Sequence, residues 1–172
     1  MANNAYYEMK VVGKQDNVEA FVRAMLWEGE YEQQGAGRVF SCEVDEQGES
    51  DNGYYVLLSG FCAWSVVSSM RVANNPNNIE RLSAKLELSI ETYCQERGFE
   101  FQEHFLVING EVEIDECIDW CEIDVEYIDY YEDDFWQQDW VIASGITKEN
   151  VEEHAVDGYA GIGGYKSWDF EI

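Results

Sequence analysis

Residues 100–118 read EFQEHFLVINGEVEIDECI, and they hold the strongest short-range fold signal in the chain. Two segments that can form strands, 100–108 and 111–118, flank the dipeptide Asn109-Gly110. This dipeptide readily adopts the positive φ angles that a two-residue hairpin turn requires. We therefore predict an antiparallel β-hairpin centred on Asn109-Gly110.

The elements upstream of this hairpin follow from hydrophobic periodicity. Helical spacing of apolar residues predicts one helix after Asp16 and another that opens at Asn75-Pro76. Alternation of side chains predicts strands at residues 5–12, 39–44, 54–63 and 88–95. The resulting order, β-α-β-β-α-β, is that of the ferredoxin-like split unit.

The predicted fold class is therefore α+β, with a ferredoxin-like β-α-β-β-α-β core, an added antiparallel hairpin and an acidic C-terminal extension. Residues 1–118 are expected to form the core with its hairpin. Residues 119–172 are expected to form an acidic aromatic extension packed on the same domain. Within this extension we predict a short helix at 147–154, a flexible glycine-rich turn at 158–164 and a terminal strand at 165–172.

The composition is that of a folded and strongly acidic protein. The 172 residues include 36 Asp and Glu against 10 Lys and Arg, which gives a formal net charge of −26. Direct binding to nucleic acid or to an anionic membrane requires clusters of basic residues, so both are excluded as partners. Hydrophobic residues make up 46% and aromatic residues 15%, more than an acidic disordered segment contains.

Targeting signals and cysteine usage predict a soluble cytoplasmic protein. No run of 18 apolar residues could span a bilayer, and residues 1–10 lack the basic start and apolar segment of a signal peptide. An odd number of cysteines without an export signal favours free, mostly buried thiols. These cysteines are Cys42, Cys62, Cys94, Cys117 and Cys121.

Four short blocks stand in a characteristic order along the first two thirds of the chain. They are residues 5–12 (AYYEMKVV), 37–42 (GRVFSC), 60–65 (GFCAWS) and 101–105 (FQEHF). In this order they resemble Api92-like proteins with a YubB-type ferredoxin-like domain, which are small proteins of phages, plasmids and integrated elements. The resemblance covers residues 5–115 and implies a ferredoxin-like core and a mobile-element setting. It implies no catalytic residues.

Signals for catalysis or metal binding are weak. His104 lies in the middle of a predicted strand and is interpreted as a hydrogen-bonded structural histidine. Cys117 and Cys121 would lie about 13 Å apart on a strand, too far to share a zinc ion. No cysteine is singled out as a nucleophile, although a small cysteine enzyme stays open as an alternative. We predict no catalytic residues, no metal and no cofactor.

The acidic residues are concentrated in one segment. The fifty residues between Arg97 and Lys148 include 15 acidic residues and no basic residue, so they supply −15 of the net charge. Glu111, Glu113 and Asp115 would share one strand face at a spacing of roughly 6.8 Å. Such a row resembles the charge density of a nucleic-acid backbone strand to within an order of magnitude.

After a break at residues 116–117, acidic residues continue at near two-residue spacing to residue 129 and end in the run 132–134. Such residues can also be a solvated strand face that blocks aggregation. A face of one charge sign over fifty residues favours a binding surface instead. The candidate partner-binding residues are Glu111, Glu113, Asp115, Asp119, Glu122, Asp124, Glu126, Asp129, Glu132, Asp133, Asp134 and Trp136.

These patterns predict an acidic inhibitor that mimics nucleic acid, and the resemblance to Api92-like proteins implies that a phage or mobile element encodes it. It would block the DNA- or RNA-binding cleft of a basic host defence nuclease, first a CRISPR effector (an anti-CRISPR protein) and second a restriction nuclease. The protein would act as a monomer or homodimer. The alternative is a non-catalytic interaction module that uses an aromatic surface, either as a monomer or as a dimer. That surface would come from Trp64, Trp120, Tyr127, Tyr130, Tyr131, Phe135, Trp136 and Trp140.

Overall fold

A computed structural model describes residues 4–165 and 168–172. The chain divides into two compact units. Unit 1 comprises Met1–Glu96, Glu103–Glu116 and Trp168–Ile172, and unit 2 comprises Arg97–Gln102 and Cys117–Ser167. Along the sequence, unit 1 is therefore completed only by the segment that follows unit 2.

The described residues form seven strands and four α-helices. The strands are β1 (Asn4–Gly13), β2 (Val39–Ser50), β3 (Gly53–Ala63), β4 (Ser89–Glu96), β5 (Phe101–Ile108), β6 (Glu111–Asp124) and β7 (Tyr159–Gly163). The helices are α1 (Gln15–Leu26), α2 (Val66–Met70), α3 (Ile79–Leu86) and α4 (Asp139–Ser144). None of these helices has the length and apolar content needed to cross a lipid bilayer.

The strands follow the order β2-β3-β1-β4-β5-β6-β7. The pairs β1–β3, β1–β4, β2–β3 and β6–β7 are antiparallel. Strand β2 is irregular, with register shifts between Val39 and Ser41 and between Val44 and Glu46. Such bulges twist an edge strand and hinder its pairing with another chain.

The core of unit 1 forms where its strands meet helices α1 and α3. Alternate residues of β1 are fully buried, including Tyr7 and Met9, as the period of a strand requires. In α1, Phe21 and Met25 are four residues apart and therefore lie on one helix face. Burial of each such side chain contributes about 1.5–3 kcal/mol. This cluster is therefore a major source of stability for unit 1.

The segment Trp168–Ile172 forms a C-terminal clasp on the strands of unit 1. Its Trp168 ring stacks on tyrosine rings of β1 and β4 at centroid distances of 5.8 Å. The fully buried Glu91 accepts hydrogen bonds from the backbone N–H groups of Glu171 (2.6 Å) and Ile172 (3.2 Å). Its other carboxylate oxygen lies 2.8 Å from Nε2 of His104. The prediction that His104 is hydrogen-bonded is confirmed.

The core of unit 2 is a separate and smaller cluster. It contains buried residues from β6, β7, α4 and the 3-10 helix Val151–His154. These residues are Cys121, Ile123, Val141, Val151, Ala160 and Ile162. The apolar residues that the sequence places beside the acidic run therefore form a genuine core.

The predicted fold class, an α+β ferredoxin-like β-α-β-β-α-β core with an added hairpin and an acidic extension, is wrong. The structure is mostly a seven-stranded antiparallel sheet with few helices. Among the described helices only α1 is longer than eight residues. The reason is that backbone pairing continues past β4, so that β5, β6 and β7 extend the sheet.

The helix predicted to open at Asn75-Pro76 begins instead at Ile79. Asn78 is its N-cap, and the Asn78 side chain accepts a hydrogen bond from a first-turn N–H at 2.9 Å. Asn75 is buried, and its amide donates to two backbone carbonyls of the loop at residues 35–36 (3.0 and 3.2 Å). Asn75 therefore fixes a loop and does not begin a helix.

Predictions downstream of the hairpin also differ from the structure. The second hairpin strand was expected to end at 118, but β6 continues to Asp124. The segment 158–164, predicted as a flexible turn, contains β7. The predicted strand at 165–172 is not formed in the described residues, and 166–167 lie outside them.

Candidate acidic interface

The β5–β6 hairpin turn is held rigidly in unit 1. Asn109 (φ 50°) and Gly110 (φ 88°) adopt positive φ angles, which confirms the predicted two-residue turn. The Gly110 N–H donates to Oγ of Ser83 at 2.9 Å, and that hydroxyl donates to the Leu88 carbonyl at 2.7 Å. A Cβ atom on Gly110 would lie 2.6 Å from Cβ of Ala84. The turn is thus docked against α3.

Glu111 and Glu113 follow this turn and are exposed. Within the described chain, neither carboxylate is in an ion pair with a lysine or arginine. The intervening Val112 is 38% exposed, and Ile114 is half-buried. The hairpin therefore presents two carboxylates on a fixed backbone, without a fully buried opposite face at this end.

Asp115 differs from Glu111 and Glu113 because it is neutralised by a base from another element. Its Oδ2 lies 2.7 Å from Nη1 of Arg71, and Arg71 also contacts Oε1 of Glu80 at 2.9 Å. The guanidinium lies 5.3 Å from the centroid of the Phe105 ring. One arginine therefore joins two carboxylates and an aromatic ring beside the hairpin.

In unit 2 the acidic positions of β6 change phase. Cys121 and Ile123 are buried, and the carboxylates occupy the intervening positions Glu122 and Asp124. Glu111, Glu113, Asp115 and Asp119 lie at odd-numbered positions whereas Glu116, Glu122 and Asp124 lie at even-numbered ones, so the acidic residues of β6 do not share one alternating row. Oε2 of Glu122 lies 3.0 Å from Nε of Arg97.

The expected alternation ends at Asp124, where the 3-10 helix Val125–Tyr130 begins. The Asp124 side chain caps this helix by accepting a hydrogen bond from the Glu126 N–H at 3.0 Å. Glu126 and Asp129 are exposed, and Oδ1 of Asp129 lies 3.1 Å from Nζ of Lys148. The acidic residues that follow at near two-residue spacing up to residue 129 therefore leave the strand after Asp124 and lie on a capped 3-10 helix.

The last predicted contact residues divide into exposed acids and a packed ring. Glu132, Asp133 and Asp134 are exposed in the turn that precedes the 3-10 helix Phe135–Gln137. Trp136 is half-buried, and its ring packs edge-on to Phe135 at 5.2 Å as part of the second core. Its buried Nε1 has no hydrogen-bond partner among the described residues.

Most members of the predicted aromatic surface are packed in unit 2. Tyr131, Phe135, Trp136 and Trp140 contact its core. Tyr127 and Tyr130 remain 53% and 79% exposed, with ring centroids 5.6 Å apart. In unit 1, Trp64 is partly exposed. The exposed aromatic area is therefore smaller than the sequence suggested.

The basic residues that form ion pairs with the acidic run were not predicted from the sequence. Arg97 and Lys148 directly flank the base-free segment and pair with Glu122 and Asp129, a signal that was available in the sequence. A second base-free segment, between Arg38 and Arg71, was not predicted either; it holds five acidic residues, most of them on β2. Flanking bases thus neutralise part of the acidic run, and a second group of acidic residues lies on β2.

Two titratable groups of β5 and β6 have pKa values that are raised by burial. The Glu103 carboxyl group on β5 has its pKa raised by burial, and the Val67 N–H donates to it at 3.5 Å. Burial and the neighbouring Glu100 carboxylate raise the pKa of the Cys121 thiol to about 12. The five cysteines form no disulfide, and only Cys117 is exposed. The prediction of mostly buried, unlinked thiols is confirmed.

Both units carry a large negative net charge. Unit 2 contains 14 Asp and Glu against 3 Lys and Arg, a net charge of −11, and unit 1 contains 22 against 7, a net charge of −15. Two of the three bases of unit 2 are already in ion pairs.

Compared with models of protein families, with curated proteins and with solved structures, the chain has no match in any of the three.

Proposed function

We propose that this chain is an acidic inhibitor that occupies the nucleic-acid-binding cleft of a basic protein. The observation that carries the proposal is a set of exposed carboxylates without basic neighbours in the described chain. Glu111 and Glu113 present them on the docked hairpin of unit 1, and residues 132–134 present them in unit 2. Three of the initial candidates, Asp115, Glu122 and Asp129, contribute less because ion pairs already compensate them.

The mechanism is occupancy. Carboxylates at roughly 6.8 Å intervals on a rigid strand can pair with lysine and bidentate arginine side chains that otherwise hold phosphates. The net charge of −26 accelerates association with a basic cleft at low salt. Because the hairpin turn is fixed by hydrogen bonds, little conformational entropy is lost when it docks.

The target we propose is a host defence nuclease in the cytoplasm, a CRISPR effector first and a restriction nuclease second. The mobile-element setting implied by the Api92-like resemblance supports this choice. The chain would act as a monomer or homodimer, without catalysis, cofactor, membrane or direct nucleic-acid contact.

The alternative function is an interaction module that uses aromatic side chains. The observation that favours it is the exposed pair Tyr127–Tyr130. Sedimentation at about 0.05 and 0.5 M NaCl separates the two functions, since apolar association survives screening of charge. A strictly monomeric protein at both salt concentrations contradicts a dimeric module.

The decisive experiment compares charge-reversal variants of each unit. The variants are Glu111→Lys with Glu113→Lys in unit 1, and Glu132→Lys with Asp133→Lys and Asp134→Lys in unit 2. A matched control, Glu28→Lys with Glu32→Lys, changes two exposed acids that follow α1 and belong to neither set. Proteins captured from host lysate are eluted by salt and assayed for nuclease activity with each variant.

We expect at least one variant to inhibit the captured nuclease about tenfold less well, because each lost pair with a charged group weakens binding by about 1 kcal/mol or more. The control should inhibit like the unaltered chain. Full inhibition by both variants, with circular dichroism showing an intact fold, would mean that the carboxylates are only a solvated surface.

A further inference from the structure

A cavity of about 640 Å³ lies within unit 2. Its lining includes Asp119 and Trp120 of β6, Trp140 of α4, and Gly161, Gly163 and Gly164 in and after β7. We name it the indole cavity. Its volume falls in the range of about 300–1,000 Å³ that is typical of ligand sites. Of the candidate partner-binding residues, its lining includes only Asp119.

Two glycines of the indole cavity allow its tryptophan rings to pack directly against the backbone, because glycine has no side chain. A Cβ atom on Gly164 would lie 2.5 Å from Cδ1 of Trp120, and one on Gly163 would lie 2.6 Å from Cε3 of Trp140. Both glycines also have positive φ angles, 64° and 73°. A larger residue at either position would displace an indole, so the glycine-rich sequence maintains the aromatic lining.

The described lining of the cavity includes one acidic residue, Asp119, and one histidine, His154. Asp119 contributes an exposed carboxylate, and none of the described lining residues is a lysine or arginine. The Asp119 backbone carbonyl accepts the Gly164 N–H at 3.2 Å, so the backbone holds this residue in place while its side chain is available. The Nε1 of Trp140 is already bonded to Oε1 of Gln138 at 2.7 Å. Trp120 is buried and Trp140 is half-buried, so a ligand in the cavity meets the Trp140 ring and the exposed residue Asp119.

We infer that the indole cavity binds an arginine side chain, and that in the complex this arginine comes from the basic partner. Indole rings attract cations through their faces, and a planar guanidinium both stacks on them and pairs with a carboxylate. An ammonium group stacks less well because it is compact and strongly hydrated. The assignment of the arginine to a nucleic-acid-binding partner rests on the proposed function; binding of the side chain does not.

The test uses the full chain and a small probe, the N-acetyl amide of arginine. The neutral control is the corresponding citrulline derivative, which has nearly the same shape without the charge. The probe is titrated into the protein at about pH 8, a pH at which a free imidazole group is neutral. Binding is followed by NMR through the indole N–H resonances of the protein. We expect saturable shifts for Trp120 and Trp140, small shifts for Trp136, and at least tenfold weaker binding of the citrulline derivative.

Asp119→Asn should weaken arginine binding about tenfold, because it removes a charge-assisted hydrogen bond. Asp157→Asn removes the same charge from an exposed turn of unit 2 and should leave the affinity unchanged. Circular dichroism checks that both variants fold. The inference would be overturned if both probes bind equally well or if the two variants lose the same affinity. It would also be overturned if binding does not saturate up to about 50 mM, which corresponds to a binding free energy weaker than about −2 kcal/mol.

The experiment also separates this inference from the proposed function. Saturable arginine binding that depends on Asp119 supports the indole cavity even if no nuclease is captured. If arginine does not bind while the charge-reversal variants still lose inhibition, the inference is wrong and inhibition through the acidic surface remains.

Discussion

Replacing Gly110 by alanine should destabilise unit 1 strongly, although alanine adds only one methyl group. Gly110 has a φ of 88°, a conformation that costs an L-residue about 1–2 kcal/mol. The new Cβ would also lie 2.6 Å from Cβ of Ala84 and 3.2 Å from the Glu80 carbonyl oxygen. Forcing a methyl group into such a contact costs about 1–3 kcal/mol. We expect a total loss of about 2–5 kcal/mol.

A second glycine of unit 1 separates these two contributions. Gly29 also has a positive φ, 58°, but the nearest atom to its added Cβ would be Cδ of Arg23, at an ordinary 3.9 Å. Gly29→Ala should therefore cost only the conformational part, about 1–2 kcal/mol. The difference between the two variants measures how tightly the hairpin turn is docked on α3.

The assay is urea denaturation followed by far-ultraviolet circular dichroism. With a slope of about 2 kcal/mol/M, the Gly110 variant should lose about 1–2 M in its midpoint, roughly twice the loss of the Gly29 variant. Equal midpoints for the two variants would refute the docking of the turn. The presentation of Glu111 on a fixed backbone would then lose its support.

Two further predictions concern buried groups. Burial raises the pKa of Glu103, so its contribution to stability is fully present below the unfolded value of about 4.3 and is lost as pH rises through the raised folded value. Glu103→Gln should therefore increase the free energy of unfolding more at about pH 7 than at about pH 4, as measured by urea titrations. An equal change at both pH values would contradict this prediction. Cys117 is exposed, whereas burial keeps Cys121 protonated, so iodoacetamide at about pH 8 should modify Cys117 first, as measured by peptide mass spectrometry. Equal rates at the two cysteines would show that unit 2 opens readily.

Local signals in the sequence predicted individual elements well. Alternation identified β1 and β3 within one or two residues, and Asn109-Gly110 identified the hairpin turn. These features depend on residues that are neighbours in the chain. The fold class failed because glycine-rich residues 159–163 have low intrinsic strand propensity and form β7 through backbone pairing with β6.

The acidic surface was predictable as a concentration of charge but not in its pairing. Arg71 reaches Asp115 across 44 residues of sequence, which no local pattern indicates. Asn75 shows the same limit, because its capping signal competes with loop carbonyls forty residues away. The change from odd to even acidic positions between Asp119 and Glu122 was visible in the sequence, and it marks where the buried side chains of β6 begin.

The C-terminal clasp has a consequence for biosynthesis. The Glu91 carboxylate reaches its partner amides only at residues 171 and 172, eighty residues further along the chain. While unit 2 is still being translated, this carboxylate lacks those donors and the tyrosines of β1 and β4 lack the stacking of Trp168. A nascent chain on the ribosome therefore carries an unfinished sheet face, in which one oxygen of the Glu91 carboxylate lacks its backbone donors. Closure of unit 1 becomes a late, long-range step, and such steps are slow because loop-closure entropy must be overcome before the contacts form.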